Sequence, residues 1–396
     1  MPGSGLTRRE MLKTTALSLG GLAAAPMINR GRYRLFAWSD TEYSARTIAL
    51  MERSTVLDML GIISIDGRWR DWAMDPKSFT EEDYERYKDS GINVFHHAFG
   101  LGGPEAFERA LTYIASLNAL AAGADEYFMR IDSVHDLQRV NESGRIGLLL
   151  GIQNADHFRR PDDVDLFYGL GQRVSQLTYN SRNRIGNGAT ERTDEGVSDF
   201  GISIIERMNE VGMAVDVSHC GDQTTLDAFE FSRKPVLITH SNCRALVPGH
   251  PRCKSDDAIR AMARSGGVMG ITGVRNFVSL EEPTTVEHVI DHFDHVRDLV
   301  GIEHVGVGSD VDLDGYDALP DDVQEQLRAG YADTYAFRDR IDIEGLDHPK
   351  RMFDLTEGLV RRGYSDQEAE LVLGGNFIRV LGEIWAAGEA DAPAEG

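Results

Sequence analysis

The chain has 396 residues, 41% of them hydrophobic, and sets 64 acidic against 41 basic side chains for a formal net charge of -23. That length fits one large α/β domain or two ordinary ones, and the composition excludes a disordered or fibrous chain. The charge excludes a nucleic-acid surface, because such affinity comes largely from Lys and Arg neutralising phosphates.

At the N-terminus Arg8-Arg9 precedes a short apolar run from Thr14 to Ala25. Twin arginines before such a run read as a twin-arginine export signal over residues 1–30. The expectation is export to the periplasm or the extracellular side, with a membrane tether if the signal stays uncut. No other stretch reaches membrane-spanning length. Residues 31–385 read as a single catalytic domain and 386–396 as a frayed tail. Cys220, Cys243 and Cys253 are too few, and an odd number, for a disulfide framework. They are expected as small buried packing residues, a metal or redox role being the alternative.

A polar stretch from Ser39 to Met59 reads as helical. Apolar strand-like runs then follow at Ile62–Ile65, Ile92–Phe95, Ile146–Gly151, Val174–Leu177, Ala214–Val217, Val236–Thr239, Gly267–Ile271 and Val305–Val307. Helical patterns fall between most of them. Val197–Val211 stops at Gly212, and Val286–Val300 carries a capping box on Thr284 and Glu287 and stops at Gly301. Near-continuously apolar strands alternating with helices predict a parallel sheet closed into a (β/α)8 TIM barrel. A doubly wound open sheet is the alternative, weakened by the lack of GxGxxG after the first strand. Residues 317–350 read as an acidic insertion after the last strand. Met352 to Trp385 reads as a helical tail broken at Gly363 and at Gly374–Gly375.

A barrel keeps its reactive residues at the C-terminal ends of its strands. Asp66 and Arg68, His96-His97, Gln153, Tyr179, His219, His240 and Asp310 all fall there. His219, His240 and Asp310 offer two imidazoles and a carboxylate, a set able to hold one divalent metal with open positions for water and substrate. The alternative is two core histidines and a capping Asp. Asp310-Val311-Asp312-Leu313-Asp314-Gly315 also matches half a calcium loop, but Asp321 stands at the twelfth position and the flanks are not two helices. His288, His292 and His295 share helical spacing without an HExxH, and are expected on a solvated face. One of His96 and His97 can face the barrel mouth. Arg252, on the loop after the sixth strand, could clamp a substrate carboxylate or pair with Asp256 or Asp257 at the surface.

At these residues the chain resembles the membrane (renal) dipeptidase family of zinc peptidases. The matching text is QLTYNSRNRIGNG, GMAVDVSHCG, PVLITHSNCRAL, HPRCKSDDAIRAMARSGGVMGI and HVGVGSDVDLDG. The resemblance implies a barrel of the metal-dependent amidohydrolase type, a two-zinc site and hydrolysis of a dipeptide gripped at both ends. It makes His219 and His240 ligands of one zinc, Arg252 the carboxylate-binding arginine, and Asp310 the residue for proton transfer and the substrate amine. Four positions depart from the family. Where its members carry Asp-Gly-His-x-Asp, this chain reads Asp66-Gly67-Arg68-Trp69-Arg70. The bridging glutamate is Gln153, and the histidine expected at the oxyanion is Tyr179.

The reading that follows is an exported dipeptidase-like hydrolase of dipeptides or similar small amides, with one zinc or other divalent ion on His219, His240 and Asp310. Tyr179 would donate to the oxyanion and Arg68 would place a fixed charge at the lost zinc position, with Gln153 and His97 lining the substrate. Its partners would be a small peptide, the twin-arginine export machinery and, as an option, a second copy of the chain in a homodimer. Two alternatives stay open: metal-free tailoring of a small peptide with Tyr179 and Asp310 as acid and base, and a catalytically inactive dipeptide-binding barrel.

Overall fold

The computed structural model describes residues 31–35, 41–335 and 340–389, so the expected export signal lies outside the described residues. The chain divides into two compact units, one up to Ala45 and one from Arg46 onward. In the first, strand β1 (Arg32–Arg34) pairs antiparallel with β2 (Glu42–Ser44). The expected helix over Ser39–Met59 is thus shortened to Ala45–Arg53.

In the larger unit the strands are β3 (Leu57–Asp58), β4 (Val94–Phe99), β5 (Phe128–Arg130), β6 (Ile146–Ile152), β7 (Gln172–Gln176), β8 (Ala214–Asp216), β9 (Ile238–Ser241), β10 (Met269–Ile271) and β11 (Val305–Val307). Every pairing among them is parallel. Six strands form one curled sheet in the order β3-β4-β6-β7-β8, with β5 added beside β6, and β11-β10-β9 form a second. Isolated parallel bridges join Asp216 to Leu237 and Gly61 to Val311. Strand β6 reads IGLLLGI and is buried at all seven positions, as a strand covered on both faces must be. A side chain at Gly151 would put its Cβ 2.0 Å from His96 Nε2, so this strand admits only glycine beside that imidazole.

Two strands differ from the sequence reading. The first pairs at Leu57–Asp58, ahead of the expected Ile62–Ile65, which runs on as irregular chain toward the cavity. Phe128–Arg130 adds a short strand that three residues of pattern could not announce. The helix expected from Val197 begins two residues later, as Asp199–Val211 capped by Ser198, and helix Val286–Val300 forms as expected. The cap of the second sits one residue later, on Thr285, with His288 Nδ1 accepting from the Thr285 backbone N–H.

The acidic stretch after β11 contains a helix, Asp321–Tyr335. The tail forms helices Arg351–Arg361, Asp366–Glu370 and Asn376–Glu389, with a π turn over Leu371–Gly375. The last helix runs past the expected tail boundary at residue 386. Phe377, Val380, Leu381, Ile384 and Trp385 complete a buried cluster with Leu57, Leu149, Val174, Ala214, Leu237 and Val268. No described helix is long and apolar enough to cross a membrane.

Candidate active site

The chain leaving β8 and the end of β9 bring His219 and His240 together. Both are buried, and their Nε2 atoms lie 2.9 Å apart. The other nitrogen of each ring is engaged. His219 Nδ1 lies 2.8 Å from Asn180 Oδ1, and His240 Nδ1 lies 2.8 Å from Thr239 Oγ1. The Thr239 hydroxyl donates to Asp216 Oδ2 at 2.7 Å, so its oxygen is left to accept from His240 Nδ1. Asp216 also accepts from the Ser218 hydroxyl and from the backbone N–H groups of Ser218 and Thr239, which locks the turn carrying both histidines. With both Nδ1 atoms donating, two Nε2 lone pairs face one another, and they need a proton or a cation between them. Burial, then the Arg252 charge, holds both imidazoles well below the ordinary histidine range, so in neutral solution they are unprotonated.

A cavity of about 470 Å³ opens over His219, walled also by Ser64, Gln153, Tyr179, Asp310 and Tyr316 among others. Tyr179 stacks on His219 with ring centroids 4.2 Å apart and planes at 19°. Gly100 makes room for this: a Cβ there would fall 2.9 Å from the Tyr179 ring. Gln153 donates through Nε2 to Ala98 O at 2.7 Å. Asp310 is half-buried at the cavity and pushed up to about 7, chiefly by loss of solvent, against the lowering pull of Arg252 and a hydrogen bond with Tyr316. Asp312, two residues on, also lines the cavity; its Oδ1 has no hydrogen-bond partner, and burial pushes it up to about 8. Asp66, Asn180 and Asp310 are the non-glycine residues with left-handed backbone among those described, at φ 53°, 61° and 56°. Asn and Asp tolerate that conformation best, and such strain gathers at functional sites.

Three expected site residues take other places. Arg68 turns away from the cavity and pairs with Asp83 at 2.5 Å, so no fixed charge from Arg68 stands beside the histidines. The arginine on the cavity wall is Arg70, two residues later. Arg252 is fully buried, with its guanidinium donating to the carbonyls of Ser218 and His240. It therefore acts on the histidines and Asp310 through its field, with no exposed face for a carboxylate. His97 accepts from the Ile63 N–H at 3.0 Å and packs edge-on to Trp69, 5.6 Å between centroids, which places it behind the cavity wall. Its neighbour His96, buried and held below the ordinary histidine range by that burial, donates through Nδ1 to Met59 O at 2.6 Å.

The three helical histidines are not a solvated face. His292 is buried, accepts from Cys243 N–H at 3.0 Å and donates to Val278 O across 2.9 Å. His295 meets Asp256 at 2.9 Å and His288 caps its own helix. All three cysteines are buried and free, as packing residues should be.

The residues present fit half of a metal centre. Two unprotonated Nε2 atoms converge, yet no group of three or more His, Cys, Asp or Glu able to hold an ion occurs among the described residues. Asp310 shares the cavity without completing such a set; the groups that act on its carboxyl are Arg252, Asp58 and Tyr316.

The model of the membrane dipeptidase family, peptidase family M19, matches residues 46–329. The chain belongs to that family. It is 33% identical over 252 residues to dipeptidase verJ of Clonostachys rogersoniana, covering 63% of this chain and 58% of that protein. It is 29% identical over 265 residues to dipeptidase tcpJ of Claviceps purpurea, covering 65% and 56%. The matches thus span less than two thirds of these curated relatives. Among solved structures, an amidohydrolase from Pseudomonas aeruginosa superposes with a TM-score of 0.74 at 28% identity, over 86% of this chain and 99% of the other. A metallo peptidase from Rhodobacter sphaeroides, liganded with a phosphinate mimic of L-Ala-D-Ala, shares the fold at a TM-score of 0.69 and 18% identity, over 84% and 99%.

The resemblance assigns His219 and His240 to one metal, and the structure brings those two side chains together. Sequence reasoning gave no site role to Arg70, Asn180 or Tyr316, and named Asp312 only within the calcium-loop match. Asn180 was legible inside LTYNSRN; the rest depend on how loops fold over the cavity.

Proposed function

We propose that this M19 chain hydrolyses the peptide bond of dipeptides or similar small amides, using one divalent ion, zinc first among the candidates. The observation that carries the reading is the pair of buried imidazoles with Nε2 atoms 2.9 Å apart beside a cavity that also takes in Tyr179 and Asp310. His219 and His240 would hold the ion. When bound, a divalent ion polarises the scissile carbonyl and activates water.

The chain's own residues do the rest. Asn180 and Thr239 fix the Nδ1 tautomers, which aims both Nε2 lone pairs at one point. Burial, with the Arg252 charge second, keeps both rings neutral and therefore able to ligate. Asp310, with an affinity for protons near neutrality, takes a proton from the attacking water and returns it to the leaving amine. Tyr179, held flat against His219, offers its phenol to the developing oxyanion. The parallel sheets and the two bridges between them support a closed (β/α)8 barrel, which would place these groups at its C-terminal rim. Export by the twin-arginine route, a periplasmic or extracellular location and pairing of two copies complete the proposal.

The test is metal content per purified chain, followed by a dipeptide panel with and without chelator. The expected result is about one ion per chain and chelator-sensitive cleavage. Metal-independent turnover of a modified peptide would replace this reading with a tailoring enzyme. Thermal stabilisation by dipeptides without turnover would make the chain a binder.

A further inference from the structure

A second cavity, of about 510 Å³, lies against the first, and the two share Trp69, Arg70, Phe99 and Gly100 as walls. Trp69 stacks on Phe99 with centroids 5.0 Å apart and planes at 26°, forming an aromatic partition. Beyond it Met74 is 83% exposed, and Leu101 and Tyr113 continue an apolar lining. Each space alone lies within the range of roughly 300–1,000 Å³ that small-molecule sites occupy. A dipeptide of small residues would fill one and leave the other to water.

Arg70 stands at the seam. Its guanidinium lies 5.3 Å from the Trp69 ring centroid and makes no hydrogen bond or ion pair with any described residue. Arg68, two residues earlier, behaves differently, since Asp83 neutralises it. On the far wall Arg109 donates to Gly102 O at 3.1 Å and Glu108 faces the same space. Arg70 is exposed to solvent, and a guanidinium resting on an aromatic face beside an apolar cavity can take a planar anion bidentately, with apolar chain on either side.

We propose that Arg70 and the second cavity form a side-chain subsite that selects peptides carrying a carboxylate on a flexible apolar stem. The carboxylate meets Arg70 between the two cavities, and a longer stem passes the Trp69–Phe99 partition. The inference rests on the dipeptidase reading for its substrate but not for its geometry.

The experiment uses the full chain loaded with zinc and compares isosteric acidic and neutral peptides: glutamyl-alanine with glutaminyl-alanine, and alanyl-glutamate with alanyl-glutamine. The expected result is a preference of about tenfold or more in kcat/KM for the acid at one of the two positions. Arg70→Gln should bring that ratio to near one, and Arg70→Lys should restore part of it. An unchanged acid-to-neutral ratio in Arg70→Gln would overturn the proposal. Thr112→Trp narrows the second cavity from its helix wall, and should penalise aminoadipyl-alanine more than glutamyl-alanine; equal effects would overturn the role of that cavity. If the wild-type chain cleaves no peptide, the dipeptidase reading fails, and thermal stabilisation by glutamyl-alanine decides the subsite separately. Stabilisation of the wild type lost in Arg70→Gln supports it, and equal shifts in both refute it.

Discussion

Two imidazoles whose Nε2 atoms lie 2.9 Å apart define the chemistry at the scale of single residues. Each is positioned by a short polar neighbour, so ligand geometry is set by Asn180, Thr239 and Asp216 as much as by the histidines. Replacing His219 or His240 by Ala should abolish metal retention and lower kcat/KM by at least about a hundredfold, as read by metal analysis and peptide kinetics. Asn180→Ala should leave the ring free to rotate and cost about 10–100-fold in metal affinity. Asp310→Asn should lower kcat by roughly 100–10,000-fold while leaving metal content unchanged, because its place is at proton transfer. Loss of the ion in that variant would instead make Asp310 a ligand. His219, His240, Asp310, Gln153 and Tyr179 were all legible from strand-end placement and the family text. Arg68 was not, because a local triplet, Arg68-Trp69-Arg70, does not reveal which arginine Asp83 will capture.

At the scale of elements, two buried contacts tie the site loops to their helices. Arg351, at the start of the helix Arg351–Arg361, is fully buried, as is its partner Asp58. It also donates to the carbonyls of Val311 and Asp312, which follow Asp310 on the loop after β11. Removing it leaves a buried carboxylate without its cation and frees those carbonyls. Arg351→Met should therefore destabilise the fold by about 3–5 kcal/mol, read as a lower urea midpoint at unchanged slope. His292 links the helix Val286–Val300 to the loop after β9 as a neutral ring that both accepts and donates. Burial pushes its pKa down to about 4. Because the unfolded chain binds that proton more readily, the stabilisation is whole above pH ~6.5 and is lost as the pH falls toward about 4. His292→Gln should flatten this acid slope by one proton, measured by urea unfolding at pH 7.5 and pH 5. A slope equal to that of the wild type would show that His292 does not titrate in this window.

At the scale of the whole molecule, a chain of net charge -23 folds around a site whose key groups are kept neutral by burial. Some carboxylates, Asp58, Asp216 and Asp312 among them, are buried as well; those at the surface are screened by water and salt. The alternation of apolar runs and helical patterns determined a parallel α/β fold, since a strand covered on both faces must be apolar throughout. The same alternation set most element positions, and the family text singled out the two-histidine half of the centre. Short pairings escaped it: β3 forms over Leu57–Asp58 and β5 over Phe128–Arg130, too few residues to show a period. The tertiary structure alone decided that Arg252 is sealed beneath the histidines, that His97 backs an aromatic wall, and that Arg70 stands on the cavity. Side-chain direction in loops follows from which partner each charge meets in space, and sequence neighbours do not state that partner. The sequence by itself named a site; packing decided which of its charges face the substrate.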